Sequence, residues 1–397
     1  MGWKLPPRLE EIQPFLVMDI LARAQALEAQ GREVIHLEIG EPDGPTPEPI
    51  VRAAAEALRR GETHYTHAMG LPELREAIAR HYRESYGVEV EAERVLVTSG
   101  TSPAMLLALS LLLEPGDEAI LTDPHYACYP SFIRYLGATP RLVRVGEEGG
   151  FELRAEALGR ALGRRTRVIL INSPANPTGT LLSAEAMAEV ASFGVPILSD
   201  EIYHGLVYGE RERSILEFAQ EAFVINGFSK RFAMTGWRLG YLIAPRACMR
   251  TLEKLQQNFF ISPNPFVQRG GIAALEVALP EAEAMRRRYD ERRKFLLPRL
   301  RALGFRVASE PRGAFYIFAG AQHLGRESLS LAQEILESVG VAVAPGADFG
   351  PGGEGYLRFS YSNSIPNMER GVERLARFVE SRERKRPART LPARDRS

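Results

Sequence analysis

Cysteine is scarce in this chain. Cys128 and Cys248 are the only two, far apart and without the C-x-x-C spacing of a zinc or redox site. A disulfide framework is therefore excluded as an organising device, and two reduced thiols suit a reducing compartment, so a cytosolic protein is expected. Charge of one sign is missing too: Lys+Arg and Asp+Glu number 50 each. That balance gives no electrostatic reason to expect nucleic acid or an acidic membrane as partner, and a small molecule fits better. Long apolar runs are absent. The most apolar segment, "AMLLALSLLLEP", is about ten residues long, a buried helix rather than a bilayer span. The N-terminus "MGWKLPPRLEEIQPF" places prolines and charges where a signal peptide needs an apolar core. No repeat of fixed period is visible.

What the chain has in quantity is apolar material, 45% of 397 residues, more than one core usually organises, so two domains are expected. Between about residues 94 and 245, strand-like runs ("RVLVT", "EAILTD", "TRVILIN", "PILSD", "AFVIN", "RLGYLIA") alternate with stretches of helical period such as "SAEAMAEVASFG". Such alternation implies crossover connections and a mainly parallel sheet covered on both faces, an α/β fold. Outside this block, "MDILARAQALEAQG" reads as a helix closed by Gly31 and "VIHLEIG" as a strand. In "GEPDGPTPEPI", Thr46 is placed to cap a helix with Pro47 at its first position. A long charged helix around "EAEAMRRRYDERRKFLLPRLRALG", the strands "AFYIF", "VAVAP" and "YLRFSY", and a last helix from about residue 366 follow. The expected division is an arm and part of a small domain over 1–45, a large domain over 46–285, the rest of the small domain over 286–380, and a disordered basic tail over 381–397.

Four polar features follow strand-like runs directly: "SGTS", "NSPANPTG", "DEIY" and "FSK". In an open parallel sheet the carboxyl ends of the strands line one crevice, so these features should converge there. Ser99, Gly100 and Thr101 open a helix whose free amides and dipole suit a phosphate, although the tetrapeptide alone reads first as an ordinary cap. Asp200 alone is a loop cap or the partner of a ligand cation; Asn176 alone is a turn residue. Lys230 stands among Phe228, Phe232, Ala233 and Met234, neighbours that would desolvate its amine and favour the neutral, nucleophilic form. Arg238 adds a fixed charge suited to a phosphate. One reaction scheme uses all of these parts: a lysine that forms a Schiff base, a carboxylate that keeps a pyridine nitrogen protonated, a phosphate cradle, and an Asn/Tyr pair for a phenolate. They describe pyridoxal 5'-phosphate.

From about Gln13 to the last helix the chain resembles the class I aminotransferases of the aspartate aminotransferase type. The matching motifs are "GEPD", "HYTHAMGLPELREAIA", "SGTS", "DPHYACYP", "NSPANPTG", "SDEIY", "SKRFAMTGWRLGY", "GAFYIF" and "YLRFSY". The resemblance implies a large domain with a mainly parallel seven-stranded sheet between helices, plus a smaller α+β domain from both chain ends. It implies that Lys230 is the Schiff-base lysine and proton shuttle, that Asp200 pairs with the pyridine nitrogen, and that Asn176 and Tyr203 bond the phenolate oxygen. It further implies that Tyr126 stacks on the cofactor ring, that Ser99, Gly100, Thr101, Ser229 and Arg238 hold the phosphate, and that Tyr65 reaches the phosphate of a neighbouring subunit in a homodimer. Arg358, with Asn176 and the backbone of Gly40, would grip the substrate α-carboxylate. No metal is implied.

Two departures bear on function. Many relatives carry a hydroxyl residue three places before the lysine, where this chain has Gly227. Some aspartate-specific relatives meet the distal carboxylate with a lysine at the position of Ser102, and the segment Phe15, Leu16, Val17 is apolar, so a neutral or hydrophobic donor is expected, with 2-oxoglutarate as acceptor. A carbon–sulfur β-lyase shares the same lysine and aspartate on this fold. A ligand-sensing regulator would need a DNA-binding domain ahead of "LEIGEPD", where about 36 residues stand.

Overall fold

The structure, a computed structural model, describes residues 5–385. Among these the strands run β1 (Ile35–His36), β2 (Val95–Thr98), β3 (Glu118–Asp123), β4 (Thr139–Arg144), β5 (Thr166–Asn172), β6 (Ile197–Asp200), β7 (Phe223–Gly227), β8 (Gly240–Ile243), β9 (Tyr316–Gly320), β10 (Val341–Ala342), β11 (Ala344–Pro345) and β12 (Tyr356–Ser360). A seven-stranded sheet has the order β2-β8-β7-β6-β5-β3-β4. Every pairing in it is parallel except those of β8, which runs against both β2 and β7. The reversal has a local cause. Residues 228–239 between β7 and β8 hold no helix long enough for a crossover, so the chain must turn back beside the strand it left.

Side-chain alternation then divides each strand between two cores. Val95, Val97, Ile120, Ile169, Ile171, Val224 and Ile243 face one. Leu96, Leu121, Leu170, Leu198, Ile225 and Leu242 face the other. Both faces are covered by helices, which is why these strands read as continuous apolar runs.

A third core belongs to both chain ends. Residues of the parallel pair β1-β10 and of β9 and β12 pack in it, while Ala344 of β11, which completes the antiparallel sheet β11-β12-β9, packs in the first core. The helix Leu279–Ala302 joins the cores: Ala282 packs in the first, while Met285, Tyr289 and Leu296 pack in the third.

Several expectations change. "VIHLEIG" is strand only at Ile35–His36, and "VAVAP" divides into β10 and β11, which pair in different sheets. Thr46 does not cap the helix Glu48–Arg59, which begins after Pro47 without a side-chain cap. The Thr46 hydroxyl instead donates to Ala233 O at 2.6 Å and accepts from Trp237 Nε1 at 3.0 Å. Those contacts pin the β7–β8 loop. The last helix, Ile365–Lys385, runs past residue 381 into the segment expected to be disordered; residues 386–397 lie outside the described residues.

Two glycines let β8 approach its neighbours. A Cβ on Gly240 would stand 2.8 Å from Gly100 C and 2.9 Å from Thr101 N, and one on Gly227 would stand 3.0 Å from Leu239 O. Gly227, the departure noted above, thus has a packing reason. Gly240→Ala is expected to destabilise the fold by about 1–3 kcal/mol, read as a lower urea midpoint with unchanged slope. An unchanged midpoint would contradict the close approach of β8 to the helix that starts at Thr101.

Candidate active site

Because β2, β3, β5, β6 and β7 point the same way and β8 the opposite way, their polar flanks meet at one edge of the sheet. A cavity of about 640 Å³ opens there, lined by Gly40, Thr101, Tyr126, Asn176, Asp200, Tyr203, Ser229, Lys230, Arg238 and Arg358, together with Ser102, Tyr129 and Tyr316. Ten of the residues singled out in the sequence are therefore brought together. Gly100 adjoins this group without lining the cavity, and Ser99 stands outside the lining set.

Lys230 sits two residues beyond Phe228 in the loop after β7, and its Nζ donates to Gly40 O at 2.6 Å. Burial lowers its pKa to about 8; Glu41 opposes the shift, and Arg358 and Arg238 add to it. At neutral pH a usable fraction of the amine is therefore unprotonated. Asp200 closes the adjacent strand β6. Its Oδ2 accepts from Tyr129 Oη at 2.7 Å and its Oδ1 from Ile202 N at 3.1 Å. Burial raises the carboxyl to about 6 against the pull of those two bonds. A cation placed beside Asp200 would bring it back down.

Asn176 is oriented through its backbone N–H, which donates to Asn172 Oδ1 at 2.8 Å. Its Nδ2 faces Tyr203 Oη at 3.4 Å, and Tyr203 Oη shares a hydrogen bond with Tyr316 Oη at 2.8 Å. Tyr316 explains Gly40, because a Cβ at residue 40 would strike the Tyr316 hydroxyl. Tyr126 presents its ring edge-on to Tyr129, with centroids 5.2 Å apart.

The anion-binding parts are distinct. Gly100 has φ 98° immediately before the helix Thr101–Leu112, and a Cβ there would collide with the Arg238 guanidinium. Arg238 itself adopts φ 54° and donates to Thr235 O at 3.0 Å. Glycine thus allows a guanidinium and a helix N-terminus to share one spot.

Arg358 departs from the exposed strand arginine that alternation alone allows. It is 2% exposed, with Nη1 donating to Asn176 Oδ1 at 2.9 Å and Nη2 to Glu38 O at 2.5 Å. Its guanidinium lies over the rings of Tyr316 and Phe349, 4.2 and 4.9 Å from their centroids. Its Nε has no partner, and no carboxylate among the described residues pairs with it. A buried guanidinium left this way is costly until an anion arrives.

Tyr65 does not join the cavity of its own chain; it is 81% exposed. Sequence reasoning passed over Tyr129, Tyr316 and Asp348. For Tyr129 a signal existed: it stands three residues beyond Tyr126, at the first position of the helix Tyr129–Tyr135, which returns it toward the same edge.

These residues suit pyridoxal phosphate on the chemistry of their donors: an amine of lowered pKa, a buried carboxylate one strand away, a cradle at Gly100 and Arg238, and an unpaired Arg358. Comparison with known proteins gives the family. Residues 32–375 match the family model for aminotransferase class I and II. The chain is 41% identical over 380 residues to a (5-formylfuran-3-yl)methyl phosphate transaminase of Methanocaldococcus jannaschii, a match covering 94% of this chain and 99% of that protein. It is 38% identical over 372 residues to an aspartate aminotransferase of Pyrococcus horikoshii, covering 92% and 94%. The solved structure of aspartate aminotransferase from Thermus thermophilus with maleate superposes with a TM-score of 0.91 at 35% identity, covering 95% of this chain and 100% of that one.

Removing the Tyr129 hydroxyl takes away a bond that holds the Asp200 carboxyl down. In cofactor-free Tyr129→Phe, Asp200 should titrate about one pH unit higher than in the wild type, read by NMR of aspartate-labelled protein. An unmoved midpoint would contradict the bond.

Proposed function

We propose, for a chain that belongs to the class I and II aminotransferases, that it moves the amino group of an L-amino acid with a neutral or apolar side chain to a 2-oxo acid, with pyridoxal 5'-phosphate as cofactor. The observation that carries this reading is that one cavity is lined by Lys230, Asp200, Asn176, Tyr203, Arg238 and Arg358, with burial lowering the Lys230 amine and raising the Asp200 carboxyl. When bound, the cofactor supplies an aldehyde that links to amines and a protonated ring that draws electrons from the amino acid's Cα.

The chain's own residues do the rest. Lys230 Nζ would hold the aldehyde and, when free, is the base placed to carry the proton of the donor's Cα. Asp200, oriented by Tyr129 and the Ile202 amide, would pair with the pyridine nitrogen and keep it protonated. Asn176 and Tyr203 would hold the phenolate oxygen, and Tyr126 would hold the ring. Arg238, Ser99, Ser229 and the amides at Gly100 and Thr101 would hold the phosphate. Arg358 takes the substrate carboxylate on its open edge, beside Asn176 and the Gly40 backbone. Donor and acceptor use the same grip in turn, so one oxo acid leaves before the other enters.

The side-chain preference rests on the cavity's far wall. Phe15, Val17, Met18, Leu21, Ile39, Met105 and Phe132 line it, Ser102 stands beside them, and Lys230, Arg238 and Arg358 are the only lining cations among the described residues. With those three engaged, a distal carboxylate would be buried unpaired. Leu16, expected to join this wall, faces a neighbouring crevice instead.

A homodimer fits the exposed apolar residues Tyr65, Phe259 and Ile261, at 81%, 58% and 48% exposure. They lie close together because Thr66 N donates to Ser262 Oγ at 3.3 Å.

A panel of amino acids mixed with stoichiometric holoprotein and no acceptor should give one equivalent of oxo acid per site, fastest with leucine- or phenylalanine-like donors. Highest kcat/KM with aspartate would overturn the preference. Pyruvate and ammonia from cysteine conjugates without acceptor would favour the β-lyase reading. Subunit mixing tests the shared site. Lys230→Ala and Tyr65→Ala proteins, each inactive alone, should recover about a quarter of wild-type activity when their dimers are exchanged, and no recovery would contradict a Tyr65 supplied across the interface.

A further inference from the structure

The helix Leu16–Glu28 begins without a side-chain cap of its own. Its first two amides are satisfied from the other end of the chain: Leu16 N donates to Asp348 Oδ1 at 2.9 Å and Val17 N to Asp348 Oδ2 at 3.2 Å. A carboxylate at a helix N-terminus gains from both the open amides and the macrodipole. Asp348 is 8% exposed, so these two bonds are shielded from water and account for both of its oxygens.

What the bonds hold in place is the apolar wall. Phe15 and Val17 flank Leu16 and line the cavity, and the Phe15 ring stands edge-on to Tyr126, with centroids 6.1 Å apart. The turn that carries Asp348, Gly346–Phe349, is fixed from the substrate side. The Phe349 ring lies 4.9 Å below the Arg358 guanidinium, Phe349 O accepts from His125 N at 3.0 Å, and Ala347 N donates to Ser328 Oγ at 2.9 Å. Gly346 lies against the Gly353 carbonyl, where no Cβ would fit. A rigid connection therefore runs from Arg358 through Phe349 and Asp348 to Phe15 and Val17.

We propose that Asp348 is a specificity-determining positioning residue: by clasping the first amides of the helix Leu16–Glu28 it sets Phe15 and Val17 at a fixed distance from Arg358, and so selects donors whose side chain fills that span. The inference rests on the aminotransferase reading of the site. It assigns Asp348 no contact with substrate. Its effect should therefore scale with how far a donor's side chain reaches toward the wall: large for phenylalanine or leucine, small for alanine.

Two measurements test it. Hydrogen exchange in the holoprotein reads the clasp without reference to turnover: in Asp348→Ala the peptide containing Leu16 and Val17 should exchange at least tenfold faster, while peptides of β6 and β7 stay protected. Kinetics read its consequence. The ratio of kcat/KM for phenylalanine to that for alanine should fall about tenfold, chiefly through KM, and Asp348→Asn, with one accepting oxygen left, should fall between variant and wild type. If the alanine variant does not fold, the asparagine variant is read in the same two ways. Unchanged exchange, or equal losses for both donors, would overturn the proposal. A wild-type protein that transaminates neither donor would instead overturn the aminotransferase reading, with the exchange result still standing on its own.

Discussion

The desolvated amine of Lys230 is the constraint around which the other parts are arranged. A lysine beside solvent would keep its ordinary pKa; here the loop after β7 lowers it to about 8. That loop joins the antiparallel strands β7 and β8, and it is anchored by the Thr46 hydroxyl from the N-terminal segment. The same segment supplies Gly40 O, the acceptor of the amine. Two distant stretches of chain therefore meet to position a single nitrogen.

Around that nitrogen two guanidinium groups stand without an ion pair among the described residues, an arrangement suited to ligands of opposite sign. Arg358 is buried without an ion pair, and Arg238 lies where the helix Thr101–Leu112 already offers positive potential. Leaving such groups unpaired lowers stability, while a carboxylate and a phosphate would each meet a donor set already oriented. Asp200 is the complement: buried among tyrosines, its carboxyl is raised to about 6, a value that a neighbouring pyridinium would reverse. On the proposed reading, binding and chemistry would use the same pre-set electrostatics, with little rearrangement required at the moment of reaction.

Much of this was legible in the sequence because the relevant signals are local. Strand period, the turn residues after each strand and the order of the polar motifs are all short-range, and they place Lys230, Asp200, Asn176, Tyr203 and Thr101 at one sheet edge. Contacts between segments far apart in sequence left no such trace. Tyr129 and Asp200 are separated by 71 positions, Tyr203 and Tyr316 by 113, and Asp348 and Leu16 by 332. Thr46 misled because a Thr-Pro pair before a helix is a sound local cap signal, overridden here by tertiary bonds to Ala233 and Trp237. "VAVAP" misled because period alone does not show that a chain leaves one sheet for another after Ala342.

Competitive labelling measures the proton affinity of the Lys230 amine directly. Cofactor-free protein treated with trace acetylating reagent across a pH series, with the peptide bearing Lys230 quantified by mass spectrometry against exposed lysines, should show reactivity at residue 230 rising through a midpoint near 8. A midpoint at the ordinary lysine value of about 10.5 would contradict the account, because the burial on which the site's chemistry depends would then be absent.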